Sequence, residues 1–188
     1  MLRKLVQYKP EALEDARSLS LTVGLAGITG EFVLPEASIP KVPSTSVQHF
    51  VWIAGGIGVT PFLSMLSALS NSPTPRSPYD ITLVVSTNEP DVMVSLLEAA
   101  LGPEESWAEL SIHIFTNAVL PLRESALTIS RHRGRLRPSF FAERRHLFEQ
   151  TNTEIYLCGP QSYEDYVLDS LSTFGIDRGS VHREGFAY

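Results

Sequence analysis

The sequence predicts an α/β domain built on an open, doubly wound, parallel five-stranded sheet, with a short β remnant ahead of it. Three observations carry that prediction. The runs FVWIA (50–54), ITLVVS (81–86), LSIHIF (110–115) and EIYLC (154–158) are short and largely apolar. Amphipathic stretches of helical length separate them. The first and fourth runs each enter a glycine-bearing turn before the next helix. Near-continuous apolar strands alternating with amphipathic helices imply a parallel sheet covered on both faces, because a strand wetted on one face would alternate with polar residues.

Taken in order, FVWIA leads through a glycine turn into the helical stretch PFLSMLSAL (61–69). ITLVVS is followed by DVMVSLLEAAL (91–101), and LSIHIF by a long polar loop and then PSFFAERRHLFEQ (138–150), read as one helix. EIYLC precedes QSYEDYVLDSLSTFG (161–175), and SVHREGFAY supplies a short fifth strand. PEASIPKVPSTS (35–46) and NSPTPRSP (71–78) read as loops, because proline fixes φ and removes an amide donor. Ahead of them LSLTVGL and EFVL flank the turn AGITG, a piece of β structure too short to fold alone. The chain therefore divides into residues 1–47 and a main domain over 48–188.

Composition narrows the classes. A chain of 188 residues has room for one good domain. A formal charge of −6 argues against general nucleic-acid binding, which needs basic surface to neutralise phosphates. The single cysteine, Cys158, leaves no internal disulfide and fits a reducing compartment. No run approaches membrane-spanning length, and MLRKLVQYKPEALEDA has no apolar core of a signal peptide. An intracellular protein is expected, cytoplasmic or mitochondrial. The segment RHRGRLR (131–137) reverses the charge balance locally and reads as a solvated loop.

The chemistry is expected in two turns. In AGGIGVTPF, Gly55, Gly56 and Gly58 lie between a strand and a helix, where φ > 0 and close backbone approach suit a phosphate. Thr60 is placed to cap the helix, and Pro61 suits its first position. The spacing departs from G-x-G-x-x-G, since Pro61 stands where the third glycine would be. In YLCGPQSYEDYVLDSL a second strand runs through Cys158, Gly159 and Pro160 into a helix. With strand order 3-2-1-4, the two turns flank the point where the winding reverses, which is where open α/β sheets bind ligands. Either turn alone is also what a bare strand–helix connection looks like.

IAGGIGVTPFLSML, IYLCGPQSY about a hundred residues on, and the terminal HREGFAY together resemble the pyridine-nucleotide domain of the ferredoxin–NADP reductase family. The resemblance covers residues 48–188. It implies an NAD(P)H-dependent flavin oxidoreductase that passes hydride from nicotinamide to FAD and electrons to an external acceptor. Gly55, Gly56, Gly58, Val59, Thr60 and Pro61 would then meet the pyrophosphate and nicotinamide ribose. Cys158, Gly159 and Pro160 would line the nicotinamide site. Glu184, Phe186 and Tyr188 would lie where nicotinamide meets flavin, which puts Cys158, Glu184 and Phe186 nearest the chemistry. Ser86, Thr87 and Asn88 would face the adenosine ribose. They and Glu89 offer no cation for a 2′-phosphate, which leans toward NADH, while the arginines of 131–137 are the counter-indication.

The flavin half of the family pattern is largely missing. LTVGLAGITGEFVLP (21–35) resembles the last hairpin of the flavin barrel, with Gly27, Gly30 and Phe32 matching part of it. No arginine–x–tyrosine–serine/threonine strand precedes it. FAD is therefore expected to be weakly held or supplied from outside, by a flavin-bearing partner or as a diffusible cofactor. No metal ligands are assigned. The competing reading is a non-catalytic dinucleotide-binding module without its own flavin.

Overall fold

The computed structural model describes residue 32 and residues 47–70, 79–101, 110–118, 125, 127–148 and 152–184. The expected β remnant within residues 1–47 lies outside the described residues, apart from Phe32. The ordered elements are β1 (Gln48–Gly55), a 3₁₀ turn (Gly56–Val59), α1 (Thr60–Ser70), β2 (Tyr79–Ser86), α2 (Pro90–Leu101), β3 (Leu110–Thr116) and β4 (Ile129–Arg133). They continue with α3 (Pro138–Glu143), α4 (Arg145–Phe148), β5 (Thr153–Cys158), α5 (Gln161–Ser172), a second 3₁₀ turn (Arg178–Ser180) and β6 (Val181–Arg183).

All strand pairs are parallel, in the order β4-β3-β2-β1-β5-β6. The chain winds outward from β1 to β4, then returns to place β5 against the other side of β1. The reversal falls between β1 and β5, as the sequence predicts.

Successive residues of a strand point to opposite faces, and β1 shows why its sequence is apolar throughout. Phe50, Trp52 and Ala54 join a core with Phe62 and Leu66 of α1 and Val94 and Leu97 of α2. Val51 and Ile53 join the opposite core with Phe140 and Phe141 of α3 and Val167 and Leu168 of α5. Trp52 is fully buried, and truncating it to alanine would cost about 3–5 kcal/mol. Phe32 packs on the first core, 5.5 Å from the Phe62 ring and 5.2 Å from Tyr156.

Two expectations are corrected. The sheet has six strands, not five: residues 129–133, within the stretch read as a polar loop, pair with β3 as an edge strand. One neighbour suffices to hold such a strand, so its sequence, ISRHR, carries no apolar run. It ends at Gly134, whose φ is +99° and whose amide donates to Thr116 O at 2.8 Å. The helix expected over 138–150 is two short helices broken at Arg144, whose φ of −115° and ψ of 23° leave the helical region and whose guanidinium carbon sits 4.1 Å over the Phe140 ring.

Candidate functional site

The two glycine turns meet. Gly58 is buried against the end of β5: a Cβ there would clash with the Cys158 carbonyl oxygen and lie 2.6 Å from the carbonyl carbon and 2.9 Å from Gly159 Cα. Of the three glycines expected to allow φ > 0, only Gly56 uses it, at +55°. Nothing lies within 4 Å of a Cβ built on it, so its backbone borders open space. Beside it Ile57 is 65% exposed. Val59 is buried in the core, so any ligand contact it makes is through its backbone.

Thr60 does not cap the helix as expected. It is itself helical (φ −54°, ψ −48°), and its hydroxyl donates back to Ile57 O at 2.6 Å, tightening the turn instead. Pro61 follows inside the first turn of α1.

The second turn is held from below by two residues that sequence reasoning passed over. Tyr163 lies against both turns: a Cβ on Gly55 would come 2.7 Å from its Cδ1, and one on Gly159 2.9 Å. Its hydroxyl is 3.0 Å from Ser86 Oγ. Burial pushes this phenol far above its ordinary range, so it stays protonated. Glu164 is buried, and its carboxylate accepts the Gly159 amide at 3.2 Å. Burial raises its pKa, with the Gly159 N–H and Arg183 pulling the other way. Pro160 accepts the Tyr163 and Glu164 amides at 2.8 and 3.0 Å and so caps α5 through its carbonyl. The signal was present as Tyr and Glu four and five residues past Gly159, where a carboxylate on the first turn of a helix reaches back to an amide ahead of it.

Cys158 is fully buried at the end of β5, and its thiol donates to the Glu184 carbonyl at 3.3 Å. Burial first, then the charges of Glu164 and Glu184, push its pKa up to about 12. The thiol is thus no thiolate nucleophile at neutral pH. It joins the end of β5 to the residue that follows β6, and so brings Glu184 beside the reversal. Phe186 and Tyr188 lie outside the described residues, as do Gly27 and Gly30.

At the end of β2, Ser86 faces Tyr163 as described. Thr87 Oγ1 accepts the Glu89 amide at 3.0 Å and so organises the entry to α2. Asn88 is exposed. These three residues stand one strand from the glycine turn, on the same carboxyl edge of the sheet.

A second concavity opens on that edge at β4. A cavity of about 320 Å³ is lined by Phe115, Ser139, Phe140, Glu143 and the row Arg131, His132, Arg133, Arg135 and Arg137. The segment read as a solvated loop therefore belongs to a pocket wall. Its aromatic lining includes His132 stacked on Phe115 at 4.4 Å, and behind it His113 Nδ1 is 3.1 Å from His132 Nε2. Burial and Arg144 lower the pKa of both imidazoles, His113 to about 4. No helix among the described residues is long and apolar enough to cross a membrane.

Known proteins resemble this chain in sequence and in fold. The model of the oxidoreductase NAD-binding domain matches residues 52–169, which include both turns. The phthalate 4,5-dioxygenase oxygenase reductase subunit of Pseudomonas putida is 28% identical over 141 residues, covering 75% of this chain and 36% of that protein. The chain spans about a third of the length of the curated relatives it matches. Among solved structures, a mutant ferredoxin-NADP+ reductase from Plasmodium falciparum with 2′P-AMP superposes with a TM-score of 0.51 at 20% identity, over 84% of this chain and 58% of that one. The ferredoxin NADP+ reductase of Neisseria gonorrhoeae, with bound FAD and NADP, gives 0.50 at 20% identity, over 75% and 57%. These two likenesses concern the fold. The family match spans well over half of the sequence, and the chain belongs to the oxidoreductase NAD-binding domain family.

Proposed function

We propose that residues 48–188 bind NAD(P)H across the carboxyl ends of β1, β2 and β5 and present its nicotinamide to a flavin, with electrons leaving to an external acceptor. The observation that carries this reading is the direct seating of Gly58 on the Cys158 carbonyl, which makes one site of two turns at the reversal of the sheet. Gly56 and the start of α1 receive the pyrophosphate through backbone amides. Cys158, Gly159 and Pro160 flank the nicotinamide, and Ser86, Thr87 and Asn88 the adenosine ribose. Glu184, with Phe186 and Tyr188, belongs to the flavin side, and residues 1–47 are what this chain carries of a flavin domain. Bound there, the dinucleotide supplies the hydride, while the chain sets its distance and orientation. With Cys158 protonated and buried, no side chain on this edge is asked to act as nucleophile.

The choice of nucleotide is drawn two ways. Glu89 is exposed beyond β2 and favours a free ribose diol. The arginine-walled cavity lies two strands from β2, about 10 Å at the usual strand spacing. Guanidinium groups in a pocket are phosphate receptors, and this tips the reading toward NADPH.

Saturable binding of NADH or NADPH by the purified chain, and ferricyanide reduction that rises on adding FAD, are the expected results. Binding without activity at any FAD concentration moves the chain to the competing reading, a dinucleotide-binding module. Absence of binding removes both.

A further inference from the structure

The first turn of α5 carries one side chain that touches all three strand ends of the crevice. The Tyr163 ring lies against Gly55 at the end of β1 and Gly159 beyond β5, and its hydroxyl reaches Ser86, the last residue of β2, at 3.0 Å. The ring and the hydroxyl do different work. The ring fills the space that absent Cβ atoms leave at the two glycines and so sets how closely the turns approach. The hydroxyl makes a contact of its own, with Ser86. Its partner Ser86 stands at a strand end, where an unpaired serine would sample several χ1 rotamers. Either oxygen can donate in this contact; with Tyr163 donating, the Ser86 hydroxyl keeps its own proton free for a ligand.

We propose that Tyr163 is a positioning residue for the adenosine half of the nucleotide: it aims the Ser86 hydroxyl at the ribose. The proposal rests on the binding mode given above, with the ribose at the end of β2. It goes beyond that mode in assigning a role to a residue of α5 that reaches the ligand only through Ser86. Glu164 supports the arrangement from behind by holding the Gly159 amide, which keeps the first turn of α5 seated under the crevice.

The test uses the full chain and two probes, NADPH and ADP-ribose, which has the adenosine half without nicotinamide. Tyr163→Phe keeps the ring and removes the hydroxyl. It is expected to weaken both probes alike, by about fivefold to tenfold, the worth of one hydrogen bond, with the melting temperature held. Ser86→Ala is expected to give the same loss, and the double variant no further loss, because the two hydroxyls act as one unit. If Tyr163→Phe lowers the melting temperature, Ser86→Ala alone carries the affinity test. Wild-type affinity in Tyr163→Phe, a loss for NADPH that ADP-ribose does not share, or losses that add fully in the double variant would each overturn the proposal. A wild-type chain that binds neither probe overturns the binding mode itself, which is a different result from a wild type that binds and a Tyr163→Phe that binds equally well.

Discussion

At the β1–β5 reversal the walls of the crevice are backbone. Gly58 rests on a carbonyl group, and Gly55 and Gly159 admit a tyrosine ring where side chains would stand. Three strands away on the same edge, the walls of the β4 cavity are long side chains: Arg131, Arg133, Arg135 and Arg137 are all exposed, with Phe115, His132 and Phe140 in the same lining. A backbone wall has no freedom to move aside, so its tolerance for added atoms is small. A wall of exposed arginines is made of flexible side chains, and loss of one changes charge first. Atoms added to the crevice walls should therefore cost folding, and charge removed from the cavity wall should change recognition.

The largest effect is expected at Gly58. Gly58→Ala sets a methyl group against the Cys158 backbone, which cannot rotate away, and about 3 kcal/mol of stability should be lost. Gly56→Ala, two residues earlier, meets no atom within 4 Å and carries only the strain of its positive φ, about 1–2 kcal/mol. Urea denaturation of both variants reads the difference. Equal losses would mean that the turns are not in the contact described.

His113 gives the next effect, on the cavity side. Folded, it stays neutral down to about pH 4, held there by burial, by Arg144 and by His132, whereas an unperturbed imidazole protonates near 6.5. Between those values the unfolded chain takes up a proton that the folded one refuses. His113 therefore contributes full stability above pH 6.5, and that contribution falls away as pH drops toward 4. The unfolding free energy at about pH 5 should sit below its value at about pH 7.5 by on the order of 1–2 kcal/mol, and His113→Gln should flatten that slope. A slope left unchanged in the variant would assign the pH dependence to other groups.

The same contrast explains what the sequence disclosed. β1, β2, β3 and β5 have neighbours on both sides and helices over both faces, so apolar residues fill them and they read as strands. Gly58 was visible because a backbone contact excludes every other residue type, and Gly159 because the Tyr163 ring stands where its Cβ would be. β4 was invisible because an edge strand borrows its pairing from β3, and Ser130, Arg131 and Arg133 say nothing of β3. Tyr163 and Glu164 looked like ordinary positions on an amphipathic helix. Their spacing from Gly159 was the one local signal, and their contacts across the crevice arise from the packing of α5, which neither charge nor periodicity encodes. Thr60 misled because the residue type suits a cap, while the 3₁₀ turn places the Ile57 carbonyl closer to its hydroxyl.

The smallest effect is expected at the arginines, and it decides what the cavity is for. Arg131 and Arg133 lie on β4, pairing with Ile114 and Thr116 of β3, so the backbone ladder does not depend on their guanidinium groups. Replacing Arg133 with glutamine should change the unfolding free energy by no more than about 0.5 kcal/mol, as for surface changes generally. If the cavity receives a phosphate on the adenosine ribose, NADPH affinity should fall about tenfold while NADH affinity stays within about twofold, a difference of about 1.4 kcal/mol. Added salt should shrink the wild-type preference in the same direction, since exposed guanidinium–phosphate pairs are screened. Equal losses for both nucleotides would mean a general field rather than a phosphate contact. No loss for either would return the choice of nucleotide to Glu89 and the end of β2, where an acidic residue favours NADH.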